Sequence, residues 1–324
     1  MIVRRGTQEA DIRPARSDDL AACAEVWQAA LSDYLVRLGQ TEPLGDIGAV
    51  TALYGHLRST DPETFLVATR PDDAAPGGEQ VVGFVVALVR GDLWFLSMLF
   101  VLPEEQGMGL GRTLLERVLP RTGTTRARMT ATDSAQPISN ALYSRYGIVP
   151  RVPLLHLLGD VRRPDRLSPL PGGIVVTPFD EIVGRAPDGS GHRELAASIG
   201  RIDAAVAGFE HPDDHRYLRL GGRQGYLYVG AGGEHLGYGY TSAAGRVGPV
   251  AVHDAALVAP VLGHLLQAVT PRGAFAAWVA GSAGGAVQQL LAAGLRLESF
   301  PILLCWDEPL IDLRRYLPIS PGLL

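Results

Sequence analysis

The sequence predicts an α/β fold built twice, as two similar halves, each a mixed and mostly antiparallel sheet flanked by helices. Three observations carry this. An unbroken apolar stretch, Leu93 to Val101, closes on Pro103, enters the turn Gln106-Gly107-Met108-Gly109-Leu110-Gly111-Arg112, and leaves through Leu110, Leu114, Leu115, Val118 and Leu119, whose spacing draws one stripe on a helix. Segments of the first half recur in the second, those around the glycine turn at a constant offset of about 151 positions. From Leu158 to Gly173 runs a Pro/Gly/Arg-rich stretch without periodicity, which reads as a linker.

In chain order, the first half reads as a strand at Asp11–Pro14, a helical segment from Asp18 to His56, antiparallel strands at Thr64–Ala68 and Val81–Val89, and the apolar strand Leu93–Val101. The helix Gly109–Leu119 follows, then a strand at Arg126–Thr132, a helix at Ile138–Tyr146 and a last strand at Val152–Leu158. Hairpins combined with two strand-helix units imply helices packed on a mostly antiparallel sheet. The repeat places Val101 on Val252, Leu114-Leu115 on Leu265-Leu266 and Val118 on Val269. It also places Val82-Gly83-Phe84 on Leu236-Gly237-Tyr238, Tyr146-Gly147-Ile148 on Ala293-Gly294-Leu295, and Ile12-Arg13-Pro14 on Val176-Thr177-Pro178. The expected organisation is a first domain over 1–158, a linker over 159–173 and a second domain over 174–324.

Composition narrows the function. The 324 residues are 47% hydrophobic, enough for packed cores, and no apolar run approaches a membrane span. Met1 to Gly6 has arginines but no apolar region behind them, so no secretory signal is read and a cytoplasmic location is expected. A net charge of -5 without a dense basic stripe argues against a nucleic-acid partner. All 29 cationic residues are arginine, which excludes a Schiff-base lysine and any lysine base. Cys23 and Cys305 lie far apart without metal-type spacing and read as buried small apolar residues; no metal is expected.

The glycine turn is the chemical centre of the sequence. A strand that ends in such a turn and opens directly into a helix offers free backbone N–H groups and the positive end of the helix dipole, a seat for an anion such as pyrophosphate. A P-loop would need a Lys-Ser/Thr pair where Arg112-Thr113 stands, and a dinucleotide fingerprint would need glycine at Arg112. What remains, Gln-x-x-Gly-x-Gly after a Val-x-Pro strand ending, resembles motif A of the Gcn5-related N-acetyltransferases (GNAT). The resemblance implies two tandem GNAT-like (acyl-CoA N-acyltransferase) domains and acetyl-CoA as cosubstrate. It implies that Gln106, Gly107, Met108, Gly109, Leu110, Gly111 and Arg112 hold the pyrophosphate, and that backbone near Leu99, Phe100 and Val101 pairs with the pantetheine arm.

The segment Asn140-Ala141-Leu142-Tyr143-Ser144-Arg145-Tyr146-Gly147-Ile148 is similar to the helix ending in which the family's tyrosine protonates the CoA thiolate, which implies Tyr143 as general acid and a cofactor contact for Asn140. Packing of the helix on the sheet is the other reading of Tyr143. The general base is not evident, since Leu93–Val101 offers only Ser97 as a polar side chain. Asp92, Asp133 and His56 are candidates, whereas Glu104 and Glu105 sit at the phosphate end. In this fold the helical segment after the first strand roofs the acceptor, so Trp27, Tyr34, Tyr54 and His56 are candidate substrate contacts. The expected acceptor is a primary amine of a small molecule or peptide, with the chain a monomer or homodimer.

The second half replaces this chemistry. Leu257, Pro260 and Leu262 stand over Gln106, Gly109 and Gly111, and Leu290 over Tyr143. Proline has no N–H to donate and larger side chains obstruct a phosphate, so one acetyl-CoA per chain is expected. An acetyl-CoA sensor or scaffold without turnover, and an interaction module with a purely structural glycine turn, are the competing functions.

Overall fold

The structure, a computed structural model, describes residues 10–40, 46–121, 123–185, 188–298 and 300–324. Met1–Gly6 and residues 41–45 of the expected helical segment lie outside them. The chain forms two compact units, residues 1–89 with 94–124, and residues 90–93 with 125–324.

The first unit contains β1 (Asp11–Pro14), α1 (Asp19–Arg37), α2 (Ile47–Thr60), β2 (Phe65–Pro71), β3 (Glu79–Arg90), β4 (Leu93–Val101) and α3 (Leu110–Val118). Its strands lie in the order β1-β2-β3-β4, with β1 antiparallel to β2 and β2 antiparallel to β3. One heptad-like stripe, Cys23, Ala24, Val26 and Ala30, is the buried face of α1. Burial pushes the Cys23 thiol far up, so it behaves as the small apolar residue expected. At the chain's start Arg13 donates to both carboxylate oxygens of Asp19, at 2.7 and 3.0 Å, and ties β1 to α1.

The stripe of α3, Leu114, Leu115 and Val118, faces inward, and the indole N–H of the buried Trp94 donates to the Val118 carbonyl at 3.0 Å. That carbonyl is in the last helical turn, where no intrahelical partner exists. Trp94→Phe removes the donor and leaves the oxygen buried, so urea unfolding is expected to show a loss of roughly 1–3 kcal/mol. An unchanged midpoint would refute this role.

The second unit begins with β5 (Ala127–Asp133), α4 (Pro137–Ser144) and β6 (Val149–Gly159). It continues with β7 (Val175–Pro178), α5 (Phe179–Gly184), α6 (Ser190–Val206), α7 (Pro212–Leu220), β8 (Gln224–Val229) and β9 (His235–Thr241). Then come β10 (Arg246–Val247), β11 (Val250–Val252), α8 (Val258–Gln267), β12 (Phe275–Ala280), α9 (Gly284–Ala293), β13 (Arg296–Leu297), β14 (Ile302–Trp306) and β15 (Tyr316–Leu317). Strands order as β5-β14-β6-β12-β10 in one sheet and β15-β11-β9-β8-β7 in the other.

The two halves are related in space as in sequence. The Leu102 N–H donates to the Val82 carbonyl and the His253 N–H to the Leu236 carbonyl, each at 2.9 Å. Ile148 N–H reaches the Tyr143 carbonyl at 3.2 Å, and Leu295 N–H the Leu290 carbonyl at 3.1 Å. Gly83 and Gly237 share a cause: a β-carbon on Gly83 would lie 3.1 Å from the Phe100 carbonyl oxygen, and one on Gly237 2.5 Å from that of Ala251. The fold is therefore two similar α/β halves in tandem, as the sequence predicts.

The compact units do not follow the expected boundary at 159–173. β14, from the second half, lies antiparallel between β5 and β6 of the first, with Leu304 opposite both Ala131 and Val152. β6 in turn pairs with β12 of the second half, Leu157 opposite Ala277. Each half thus gives its late strand to the other, and ladder hydrogen bonds join them. The connecting stretch is docked along this unit. The N–H groups of Arg162 and Arg163 donate to the Ala293 carbonyl, Ser168 N–H donates to Gln289 Oε1, and Leu167 is buried among Leu157, Val261 and Leu265. Among the described residues no helix is long and apolar enough to cross a membrane.

Candidate active site

β4 ends at the buried Val101, passes Pro103 in a short 3-10 turn and reaches Gln106, whose side-chain N–H donates back to the Val101 carbonyl at 2.9 Å. This bond fixes where the glycine turn starts. Gly107 and Gly109 have φ of 79° and 89°, in the left-handed region that residues with a β-carbon avoid. Gly109 is the N-cap of α3, with no side chain to occupy the helix end. The first-turn N–H groups of Leu110 and Gly111 have no partner inside the helix. A β-carbon at Gly107 or Gly109 would meet nothing within 4 Å, and one at Gly111 only Val101 Cγ2 at 3.8 Å. The turn is thus an open surface of backbone donors at a positive helix end, and a phosphate fits it.

Beside the turn Glu104 is exposed. The Glu105 carboxylate is held by Arg70 at 2.8 and 3.0 Å and so brings no bare negative charge to the turn. Arg112 is exposed and paired with Glu116 at 2.9 Å, and Met108 is exposed. Leu99 and Phe100 are half-buried, and Phe100 stacks on Phe84 with centroids 5.8 Å apart.

The counterpart in the second half is built differently. There the Asp254 carboxylate accepts the Ala256 N–H at 2.9 Å, so the helical entry carries its own anion. Pro260 falls in the first turn of α8, and Leu262 is buried.

Within the first unit, Trp27 and Tyr34 lie on α1 and are half-buried, and His56 lies half-buried on α2. Tyr54 is a core residue: it is fully buried, edge-on to Phe65 and Phe84 at 6.0 and 5.2 Å. In the second unit, Tyr143 is buried on α4, and burial pushes its phenol well up despite a hydrogen bond with the Ser139 hydroxyl. Asn140 uses its side-chain N–H groups on the Asp133 and Gln136 carbonyls, at 3.0 and 2.8 Å, fastening α4 to the end of β5. Of the candidate bases, Asp133 accepts the Ala135 N–H and closes a turn, and Asp92 is exposed in the hairpin after β3.

A second constellation, Asp203, His211, Asp214 and His215, is buried in the second unit and was not singled out from the sequence. Its one local signal is His211-x-x-x-His215, a pair one helical turn apart.

Comparison with known proteins agrees with this geometry. Residues 25–148 match the model of the acetyltransferase (GNAT) family. A Pyrococcus horikoshii protein assigned as an acetyltransferase superposes with a TM-score of 0.71 at 14% identity, covering 100% of this chain and 99% of that one. A GCN5-related N-acetyltransferase from Sphaerobacter thermophilus gives 0.58 at 18% identity over 94% of this chain and 98% of that one. A tandem GNAT protein from the clavulanic acid biosynthesis pathway gives 0.55 at 19% identity over 93% and 99%. No protein of curated function matches the sequence. The chain is an acyltransferase of tandem GNAT-like architecture, and its residues 25–148 are a domain of the acetyltransferase (GNAT) family.

Proposed function

We propose that this protein transfers the acetyl group of acetyl-CoA to a primary amine of a small molecule or peptide, in the cytoplasm, as a monomer or homodimer. The observation that carries this reading is the open, left-handed glycine turn at the start of α3, whose donors fit a pyrophosphate. In the proposed step the neutral amine nitrogen attacks the thioester carbonyl, the C–S bond breaks, the thiolate takes a proton and the amine loses one. Tyr143 supplies the first proton. The likeness of residues 140–148 to the family's helix ending supports this, while burial holds the phenol protonated and makes it the weaker acid. The chain carries one such acetyl-CoA site: Asp254, Pro260 and Leu262 support a second half without a phosphate seat.

The test is thiol release from acetyl-CoA across a panel of amines. Turnover above hydrolysis with at least one amine is expected, and Tyr143→Phe should lower kcat roughly 10²-fold with acetyl-CoA affinity unchanged. Equal turnover in the variant would assign Tyr143 to packing. A protein that binds acetyl-CoA but releases no thiol with any amine would instead be a sensor, a reading favoured by Ser97 as the lone polar side chain of β4.

A further inference from the structure

His211 precedes α7 and His215 lies one turn into it, so both rings face the same way, toward Asp203 on α6. Asp203 Oδ2 is 2.9 Å from His215 Nε2 and 3.4 Å from His211 Nε2. Three donor atoms of this set all lie within 4.8 Å of one another. Donors around a tetrahedral ion with bonds of about 2.0–2.1 Å are spaced by about 3.3 Å. The two Asp203 spacings lie on either side of that value, the shorter one also being a hydrogen bond with His215.

His211 supplies the second observation. Its ring is wholly buried, yet neither nitrogen makes a hydrogen bond among the described residues. Buried polar atoms without partners are costly and rare. The ring is flanked by carboxylates: Asp203 on the Nε2 side and, on the other, Asp214 Oδ2 at 3.5 Å from Nδ1. Asp214 is itself clamped by Arg90, which fixes its carboxylate beside the His211 ring. The other two residues are held equally well. Tyr238 donates to Asp203 Oδ1 at 2.6 Å, and His215 Nδ1 is 2.9 Å from the Tyr240 hydroxyl.

Arg90 pairs with Asp214, while Asp203 accepts from Tyr238 and faces both imidazoles. The cluster opens on a cavity of about 40 Å³, sized for an ion with a water and too small for an organic substrate. Glu210, exposed, and Arg219, half-buried, add one charge of each sign to its lining. The Glu210 carboxylate lies against Gly200, where a β-carbon would come within 2.8 Å of it.

We propose that Asp203, His211 and His215 bind a divalent transition-metal ion, zinc foremost, with Glu210 or water in the fourth position, fastening α6 to α7. Two imidazoles and one carboxylate suit Zn²⁺, and Co²⁺ reports the same geometry.

The experiment uses the full-length, tag-free chain, stripped with chelator and titrated with Co²⁺ and then Zn²⁺. One equivalent of Co²⁺ with tetrahedral visible bands, displaced by Zn²⁺, is expected, together with a melting midpoint that rises with Zn²⁺ and falls back on chelation. Asp203→Asn and His215→Gln should each weaken binding at least about 10²-fold. Because those variants disturb a buried cluster, the exposed Glu210→Gln serves as a second test, with native circular dichroism and an affinity loss of about 10-fold. A folded wild type that shows no Co²⁺ bands and no Zn²⁺ shift overturns the site, and the cluster is then a metal-free network of His211 with Asp203 and Asp214. Binding unchanged in His215→Gln overturns the ligand assignment. None of these readouts involves acetyl-CoA, so the site stands or falls apart from the transferase reading.

Discussion

Gly109→Pro is expected to abolish acetyl-CoA binding, with an affinity loss beyond about 10²-fold by calorimetry. Two causes add. Proline locks φ near -65°, whereas Gly109 sits at φ 89° as the N-cap of α3. The same change deletes one backbone donor from the seat. Gly111→Ala separates binding from folding, because a β-carbon there meets only Val101 Cγ2 at an ordinary 3.8 Å. Replacing a helical glycine by alanine raises stability by about 0.5–1 kcal/mol, so a more stable Gly111→Ala protein with weaker acetyl-CoA binding would locate the ligand's close approach. Wild-type affinity in Gly109→Pro would remove the phosphate from this turn.

Asp214→Ala is expected to destabilise the second unit by about 3–5 kcal/mol, the cost of leaving a buried partner charge uncompensated. Arg90 Nε and Nη2 donate to the two Asp214 oxygens at 2.8 and 2.9 Å, with side chains 9% and 2% exposed. Urea unfolding in the presence of chelator keeps any bound ion out of the measurement. The double variant Arg90→Met, Asp214→Leu should recover much of the loss, because neither buried charge remains. A single variant within about 1 kcal/mol of wild type would show that the guanidinium reaches water or another acceptor.

What could be read from the sequence was local. β1 and β4 begin and end where composition places them, and α3 lies within a residue of its expected span, because an apolar run and a 3.6-residue stripe are both written in consecutive positions. The tight turn was readable for the same reason: Gly107 and Gly109 take the left-handed φ that glycine permits. Asp18 to His56 read as a single helical stretch, whereas two helices, α1 and α2, occupy it.

Long-range pairing was hidden. Nothing in Ile302-Leu303-Leu304-Cys305-Trp306 announces that its neighbours are β5 and β6. The Pro/Gly-rich stretch after Leu158 read as a linker because composition does not show that Ala293 and Gln289 receive its N–H groups. Aromatics at helical spacing left Tyr54 ambiguous between core and pocket, and packing against Phe65 and Phe84 decides for the core. Asp203, His211 and Asp214 come from two helices and meet Arg90 from a distant hairpin, so only the histidine spacing was visible beforehand.

The reciprocal gift of late strands sets the timetable of synthesis. As the chain leaves the ribosome, β5 and β6 are finished long before β14 exists, so the first half waits with ladder groups unmatched until β14 itself has emerged. Such a topology folds slowly and is exposed to wrong partners meanwhile. The second half closes the sheet that carries Tyr143's strand-helix unit, and a nascent chain stopped within the stretch after Leu158 would never acquire that closing strand.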